Sequence, residues 1–348
     1  MRVVDLEAMP LWINVVVFGA AAVVVWLAGT RLAKVVDEIG DRTGLGQAFL
    51  GLALLGVATS LPELATTVTG SIIGNAQLVT GNLFGGVALQ ITVLALVDLI
   101  AVRGALTYVS ARPAILFQGV MLILLLSIAI AGAASGDPLS LLGVGLTPLF
   151  LTTGYAAVLH VAASGKYLPR WKPEGGEPPE PEAQDKADED RGSTRALAFW
   201  CAGLAATILA AGWALALSGE ALAEQTGLGA SFVGVALVAS STSLPELSTT
   251  LAAVRRGNYE MAVSNILGTN CLEMALFLVA DIAYRGGPIL AATDASGLLA
   301  AAMGLIVTCL LLLGLLERRD QTVGRMGLDS IAVLITYVVG LAGLYHLR

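Results

Sequence analysis

The stretch TGLGQAFLGLALLGVATSLPELATT, which begins at Thr43, returns without a gap 183 residues later as TGLGASFVGVALVASSTSLPELSTT from Thr226. The correspondence runs on through Gly74-Asn75 and Gly257-Asn258, Asn82 and Asn265, Gly85 and Gly268, to Asp98 and Asp281. Over 43–98 it gives 22 identities in 56 positions, so the chain is built from two copies of one unit. Each copy is apolar on both sides of a Pro-Glu pair, Pro62-Glu63 and Pro245-Glu246. Proline removes a backbone donor and breaks the helical ladder, and a carboxylate at bilayer depth is costly. A chain that commits both violations twice is using them.

Composition sets the solvent. The 348 residues are 56% hydrophobic and 13% charged, with a mean hydropathy of +0.82, against about 25% charged in soluble domains. The chain is expected to be an all-α integral membrane protein, because its apolar stretches run to about twenty residues rather than the short alternating segments of a barrel. Ten helices are expected, near 11–33, 44–69, 78–100, 113–133, 139–162, 195–217, 227–252, 261–283, 295–315 and 327–346. Five fall in a first repeat, 1–162, whose internally repeated core spans 43–100, and five in a second, 195–348, whose core spans 226–283. Between them, 163–194 contains KPEGGEPPEPEAQDKADED. That composition marks a disordered linker, read as a solvated hinge rather than a calcium sensor.

Sixteen of the nineteen Lys and Arg residues lie in the loops after odd-numbered helices. The positive-inside rule then puts the linker in the cytoplasm and both termini outside, as expected of a multi-pass protein of the cell (inner) membrane. The N-terminal MRVVDLEAMPLW carries no cleavage-site pattern, so no cleaved signal peptide is expected. An odd number of helices per half forces the second copy to cross the membrane upside down. The turn that holds Ile72-Ile73 in one copy holds Arg255-Arg256 in the other, as inversion requires. Two inverted five-helix repeats with broken second and seventh helices are a transporter architecture. An enzyme needs no such symmetry.

The residues at the breaks say what is carried. Thr59, Ser60 and Glu63 in one copy, and Thr242, Ser243 and Glu246 in the other, are all hard oxygen ligands, suited to calcium, sodium or magnesium. Inversion makes Glu63 and Glu246 face each other, and two facing carboxylates in a low dielectric need a cation or a proton between them. Twenty-seven residues beyond each glutamate stand Gln90 and Glu273, in helices whose Gly81, Gly85, Gly86, Gly268 and Thr269 permit close packing on the breaks. Three carboxylates exceed the charge of one calcium, so sodium or a proton must share them. Gln90 also has a plainer reading, an interhelical hydrogen-bonding residue that meets no ion. Asp98 and Asp281 read as solvated helix ends, His160 and His346 as interfacial, and Cys201, Cys271 and Cys309 as small core residues.

The paired TSLPE motifs, each followed by a GN-x-x-G or SN-x-x-G helix, resemble the repeats of the sodium/calcium exchanger family, within the cation/calcium antiporter superfamily. The resemblance covers both halves. It implies that Glu63 and Glu246 bind calcium and sodium competitively, with the hydroxyls of Thr59, Ser60, Thr242 and Ser243 and the carbonyls of Gly56 and Ala239 completing the ion sites. It also implies a sodium-holding hydroxyl one turn before Gln90 and Glu273. The second repeat has Thr269 there, in Gly268-Thr269-Asn270, but the first has Gly85-Gly86-Val87 and no side-chain oxygen. Positions usually Asn or Asp in the family are Gln90 and Glu273, one methylene longer.

The expected activity is therefore calcium-for-sodium antiport by alternating access, with proton-coupled antiport of calcium or sodium on the same scaffold as the alternative. The partners are membrane lipid and small cations; sequence alone leaves monomer and homo-oligomer open. No cofactor is expected beyond the transported Ca2+ and Na+, with H+ as the alternative. No nucleotide, phosphate-cradling or nucleic-acid motif is visible, which argues against ATP-driven pumping. An intramembrane protease would use aspartates and leaves the hydroxyl-rich inverted copies unexplained; a channel would betray itself by turnover far above exchanger speed.

Overall fold

The computed structural model describes residues 6, 8–43, 56–102, 104–141, 143–164, 194–324 and 326–347. The start of the second expected helix, 44–55, and the linker over 165–193 lie outside the described residues. The first half comprises α1 (Leu11–Thr43), α2 (Gly56–Thr59), α3 (Leu61–Ile73), α4 (Ala76–Ala101), the short α5 (Leu106–Ser110), α6 (Pro113–Ser135), a hairpin of β1 (Ser140–Leu141) and β2 (Val144–Gly145), and α7 (Leu146–Ser164). The second half follows the same order. It runs α8 (Thr194–Thr226), α9 (Ala230–Val233), a π-helical segment Gly234–Val238, α10 (Ala239–Thr242), α11 (Leu244–Arg255) and α12 (Tyr259–Ala283). A 3-10 turn (Ile289–Ala292), α13 (Ala295–Glu317), a hairpin of β3 (Thr322–Val323) and β4 (Met326–Gly327), and α14 (Leu328–Leu347) complete it.

By length and composition seven of the described helices can cross a membrane, or eight with the pair Ala230–Thr242 and Leu244–Arg255, which meets at a bend of 46°. The apolar helix Leu146–Val161 is shorter. Large apolar side chains such as Trp12, Phe199 and Val339 point outward, as they do on a lipid-facing surface. Three expected boundaries need correction. The first and sixth helices run on to Thr43 and Thr226, well beyond 33 and 217, because polar helix formers such as Arg, Lys and Glu extend a helix past its apolar stretch. The fifth starts at Leu146 rather than 139, because Ser140–Gly145 is spent on the antiparallel hairpin.

The repeated Gly-Asn pair has a local reason. Gly74 and Gly257 end α3 and α11 with φ of 86° and 77°, a left-handed backbone that glycine adopts freely. Asn75 and Asn258 then cap the next helix, accepting from the Leu78 N–H at 3.0 Å and the Met261 N–H at 3.2 Å.

The two helices so started, α4 and α12, form the centre: 78% and 72% of their most apolar windows are buried, against 22% for α1 and α14. They touch through Phe84 and Phe277, whose ring centroids lie 4.8 Å apart. Glycines on α4 receive the broken helix of the opposite half, Gly81 against the Ser231 backbone and Gly85 against the Val235 backbone. The repeat-equivalent glycines Gly29 of α1 and Gly212 of α8 lie on the motif prolines, Gly29 on Pro245 and Gly212 beside Pro62 and Ala65. Small clusters of their own, such as Ala21, Val25, Ala211 and Leu215, hold α1 and α8 together.

Asp98 and Asp281 are not the solvated helix ends expected of them. Both are buried, at 0% and 2% exposure. One oxygen of Asp98 accepts from the Leu106 N–H at 2.8 Å and the other from the Gly327 N–H at 2.9 Å, in the hairpin of the opposite half. Asp281 does the same in reverse, accepting from the Ile289 N–H of its own half and from the Gly145 N–H at 2.6 Å. Each carboxylate therefore fastens one half to the other's hairpin. Asp98→Asn puts an amide NH2 against an N–H, and is expected to destabilise the protein by about 1–3 kcal/mol. Thermal unfolding in detergent reads this, and an unchanged midpoint would refute the fastening role.

Candidate cation site

Both helix breaks have the same geometry. Ser60 sits at φ −82°, ψ 6° between α2 and α3, and Ser243 at φ −83°, ψ 8° between α10 and α11. The proline that follows each by two residues has no N–H, so the carbonyls of Ala58 and Ser241 lose their helical donors. Both prolines lie in the first turn of the helix that follows, where the missing N–H costs least. Glu63 and Glu246 fall in that same first turn, at the positive end of a helix dipole.

Glu63, Glu246 and Glu273 are buried, at 1%, 0% and 0% exposure. Glu63 lies within electrostatic reach of both Glu246 and Glu273, and Glu273 within reach of Glu246. Among the described residues neither oxygen of Glu63 or Glu246 has a hydrogen-bond partner, and neither glutamate forms an ion pair with a basic side chain. The hydroxyl of Thr242 lies beside Glu63, and that of Thr59 beside Glu246. Each hydroxyl nonetheless donates to a carbonyl of its own turn, Thr59 to Gly56 and Thr242 to Ala239, both at 3.3 Å. Each glutamate thus meets a threonine hydroxyl from the other half, and carboxylate and hydroxyl together offer hard oxygen ligands to a cation.

The other expected ligands fall as follows. The Ser60 and Ser243 hydroxyls are buried at the breaks and unpartnered among the described residues. The carbonyls of Gly56 and Ala239 already accept two hydrogen bonds each, from Ser60 N–H and Thr59, and from Ser243 N–H and Thr242. Thr269 donates to Asn265 at 2.9 Å and abuts Gly56. Gln90 donates its Nε2 proton to Glu273 across the two helices, and its Oε1 is unpartnered among the described residues. Among the described residues no group of three or more His, Cys, Asp or Glu is gathered closely enough to hold a metal. The three glutamates share a field, but they do not form one ligand shell.

Sequence reasoning left several residues out. One turn beyond the glutamates, Thr67 and Thr250 are buried, and their hydroxyls are unpartnered among the described residues. Asn82 donates to Thr66 at 3.0 Å and keeps a bare oxygen, and Asn265 and Asn270 have both amide atoms unpartnered among the described residues. The repeat offset signals Asn82 with Asn265, and Thr67 with Thr250. Asn270 stands opposite Val87 and has no such signal.

Comparison with known proteins adds the lineage. The family model described as sodium/calcium exchanger protein matches residues 13–159 and 196–345. Inner membrane protein YrbG of Escherichia coli (strain K12) is 27% identical over 323 residues, covering 91% of this chain and 92% of that protein. The structure of the H+/Ca2+ exchanger CAX superposes with a TM-score of 0.70 at 16% identity, over 96% of this chain and 84% of that one. The sodium-calcium exchanger NCX_Mj superposes with a TM-score of 0.59 at 18% identity, over 96% of this chain and 99% of that one. At those identities the two structures establish a shared fold. With a family match running through both of its halves, this chain belongs to the sodium/calcium exchanger protein family.

Proposed function

We propose that the chain is a secondary antiporter that exchanges calcium for sodium by alternating access, with Glu63 and Glu246 as the shared ligands. The observation that carries this reading is a pair of buried glutamates with no basic partner among the described residues, each faced by a threonine hydroxyl from the other half. A structural carboxylate in a membrane interior collects hydrogen bonds or a basic partner. Among the described residues these two have no basic partner, and the one hydroxyl beside each also donates to a carbonyl of its own turn. The names of the two structural neighbours, a sodium-calcium exchanger and an H+/Ca2+ exchanger, fit the same chemistry.

The reading includes the inverted ten-helix architecture. Its support is the reciprocity of contacts at the repeat offset: Gly29 and Gly212 on opposite prolines, Asp98 and Asp281 on opposite hairpins, Thr59 and Thr242 beside opposite glutamates. Arginines and lysines at one side of the membrane support an inner-membrane protein with outward termini and a cytoplasmic linker. In this scheme α1 and α8, seated on the motif prolines through glycine, are the elements whose displacement opens the site to either side.

Proton coupling is the second reading, favoured by the three buried glutamates, Glu63, Glu246 and Glu273, whose combined charge one calcium does not neutralise. Calcium flux into proteoliposomes, run with sodium, potassium and proton gradients in turn, separates the two. An outward sodium gradient (sodium high inside) is expected to drive calcium uptake. Uptake that ignores sodium and follows the pH gradient would establish the proton reading instead, and a calcium silence under every gradient would overturn both.

A further inference from the structure

The third glutamate has an address of its own. Gly86 and Gln90 lie one turn apart on α4, as Thr269 and Glu273 do on α12. The Glu273 side chain leaves α12 and reaches over to the Gly86–Gln90 turn of α4. Its Oε1 accepts from Gln90 Nε2. Its Oε2 rests against Gly86, 2.7 Å from where a Cβ would stand there, with the carboxylate carbon at 3.3 Å. That Oε2 is fully buried and unpartnered among the described residues. A methylene fewer would withdraw the carboxylate by about 1.5 Å, short of the glycine.

We propose that Gly86 and Glu273 are a matched pair that sets the counter-ion preference of the site: the bare glycine seats a charged oxygen on the α4 side, where a monovalent metal cation such as sodium is then held. This rests on the antiport reading. The second half supplies a neutral hydroxyl, Thr269, at the equivalent position, so the pair makes the two sides of the site unlike. A hard anionic oxygen buried without a donor suits a hard cation, and its single charge balances that of one monovalent ion such as sodium. The seat is also breakable without unfolding. A Cβ at Gly86 meets the free end of a flexible side chain rather than backbone, so Gly86→Ala displaces the carboxylate and leaves the helices in place.

The test is a cycle of Gly86→Ala, Glu273→Asp and the double variant, read in two ways on the full chain. One reading is the sodium dependence of calcium flux in proteoliposomes; the other is thermal stabilisation by added sodium in detergent. Each single variant is expected to raise the half-saturating sodium concentration about tenfold, the scale of one charge-assisted contact. The double variant should be no worse than the worse single, because both changes remove the same contact. Unchanged sodium dependence in Gly86→Ala, or multiplying effects in the double variant, would overturn the pair. A wild type without flux whose sodium stabilisation Gly86→Ala abolishes would overturn the antiport reading and keep the pair. A flux-competent wild type whose sodium stabilisation ignores Gly86→Ala would do the reverse.

Discussion

Glu63→Gln is expected to lower calcium flux on the order of 100-fold, the ~3 kcal/mol scale of losing one charged contact, while leaving the fold intact. Glutamine keeps the shape and one carbonyl oxygen of the side chain but removes its charge. The Glu63 oxygens have no hydrogen-bond partner among the described residues, so the substitution breaks no bond that holds the helices. It also relieves the repulsion between Glu63, Glu246 and Glu273. The thermal midpoint should therefore hold or rise as transport falls, and Glu246→Gln should behave the same way. This split between stability and flux distinguishes a ligand from a structural residue. A variant that unfolds would make Glu63 structural, and one that exchanges at the full rate would remove it from the site.

Gly85→Val is the second large effect, and it acts through packing. The Cβ of any residue at 85 would stand 2.7 Å from the Val235 Cα and 3.0 Å from its Cβ. Backbone cannot step aside as a side chain end can, so α4 and the π-helical segment Gly234–Val238 must separate. Overpacking a close contact costs about 1–3 kcal/mol or more, and here it also moves Ala239–Thr242, which carries one side of the site. Loss of thermal stability together with loss of flux is the expected result, read by unfolding in detergent and by uptake. Gly203→Ala is the matched control. A Cβ there meets nothing within 4 Å, so a neutral or slightly stabilising change is expected from helix propensity alone. Equal behaviour of the two variants would contradict the packing account.

How far the sequence could be read differs from element to element. The breaks were legible because Pro62 and Pro245 act locally: a missing N–H disrupts the ladder whatever the surroundings, and Ser60 and Ser243 share one backbone geometry to within a few degrees. The burial of the three glutamates followed from their apolar flanks. The roles of Asp98 and Asp281 were not legible, because each depends on a hairpin in the other half. The strands Ser140–Leu141 and Thr322–Val323 are too short to show an alternating pattern. Nor could Gly86 be told from a degraded ligand position. Its meaning lies in the length of Glu273, which reaches it from 187 residues away in the chain. The placing of Thr59 beside Glu246, and of Thr242 beside Glu63, likewise belongs to the assembly of the halves rather than to either motif.

The account's central claim is that a glutamate from each half holds one and the same cation. Equilibrium calcium binding to the purified wild type, Glu63→Gln and Glu246→Gln proteins tests it most directly. One calcium per chain in the wild type and none in either variant at the same concentration is the result expected of a shared ion. Half of the binding surviving in each variant would mean two independent sites, one per half, and would contradict the claim.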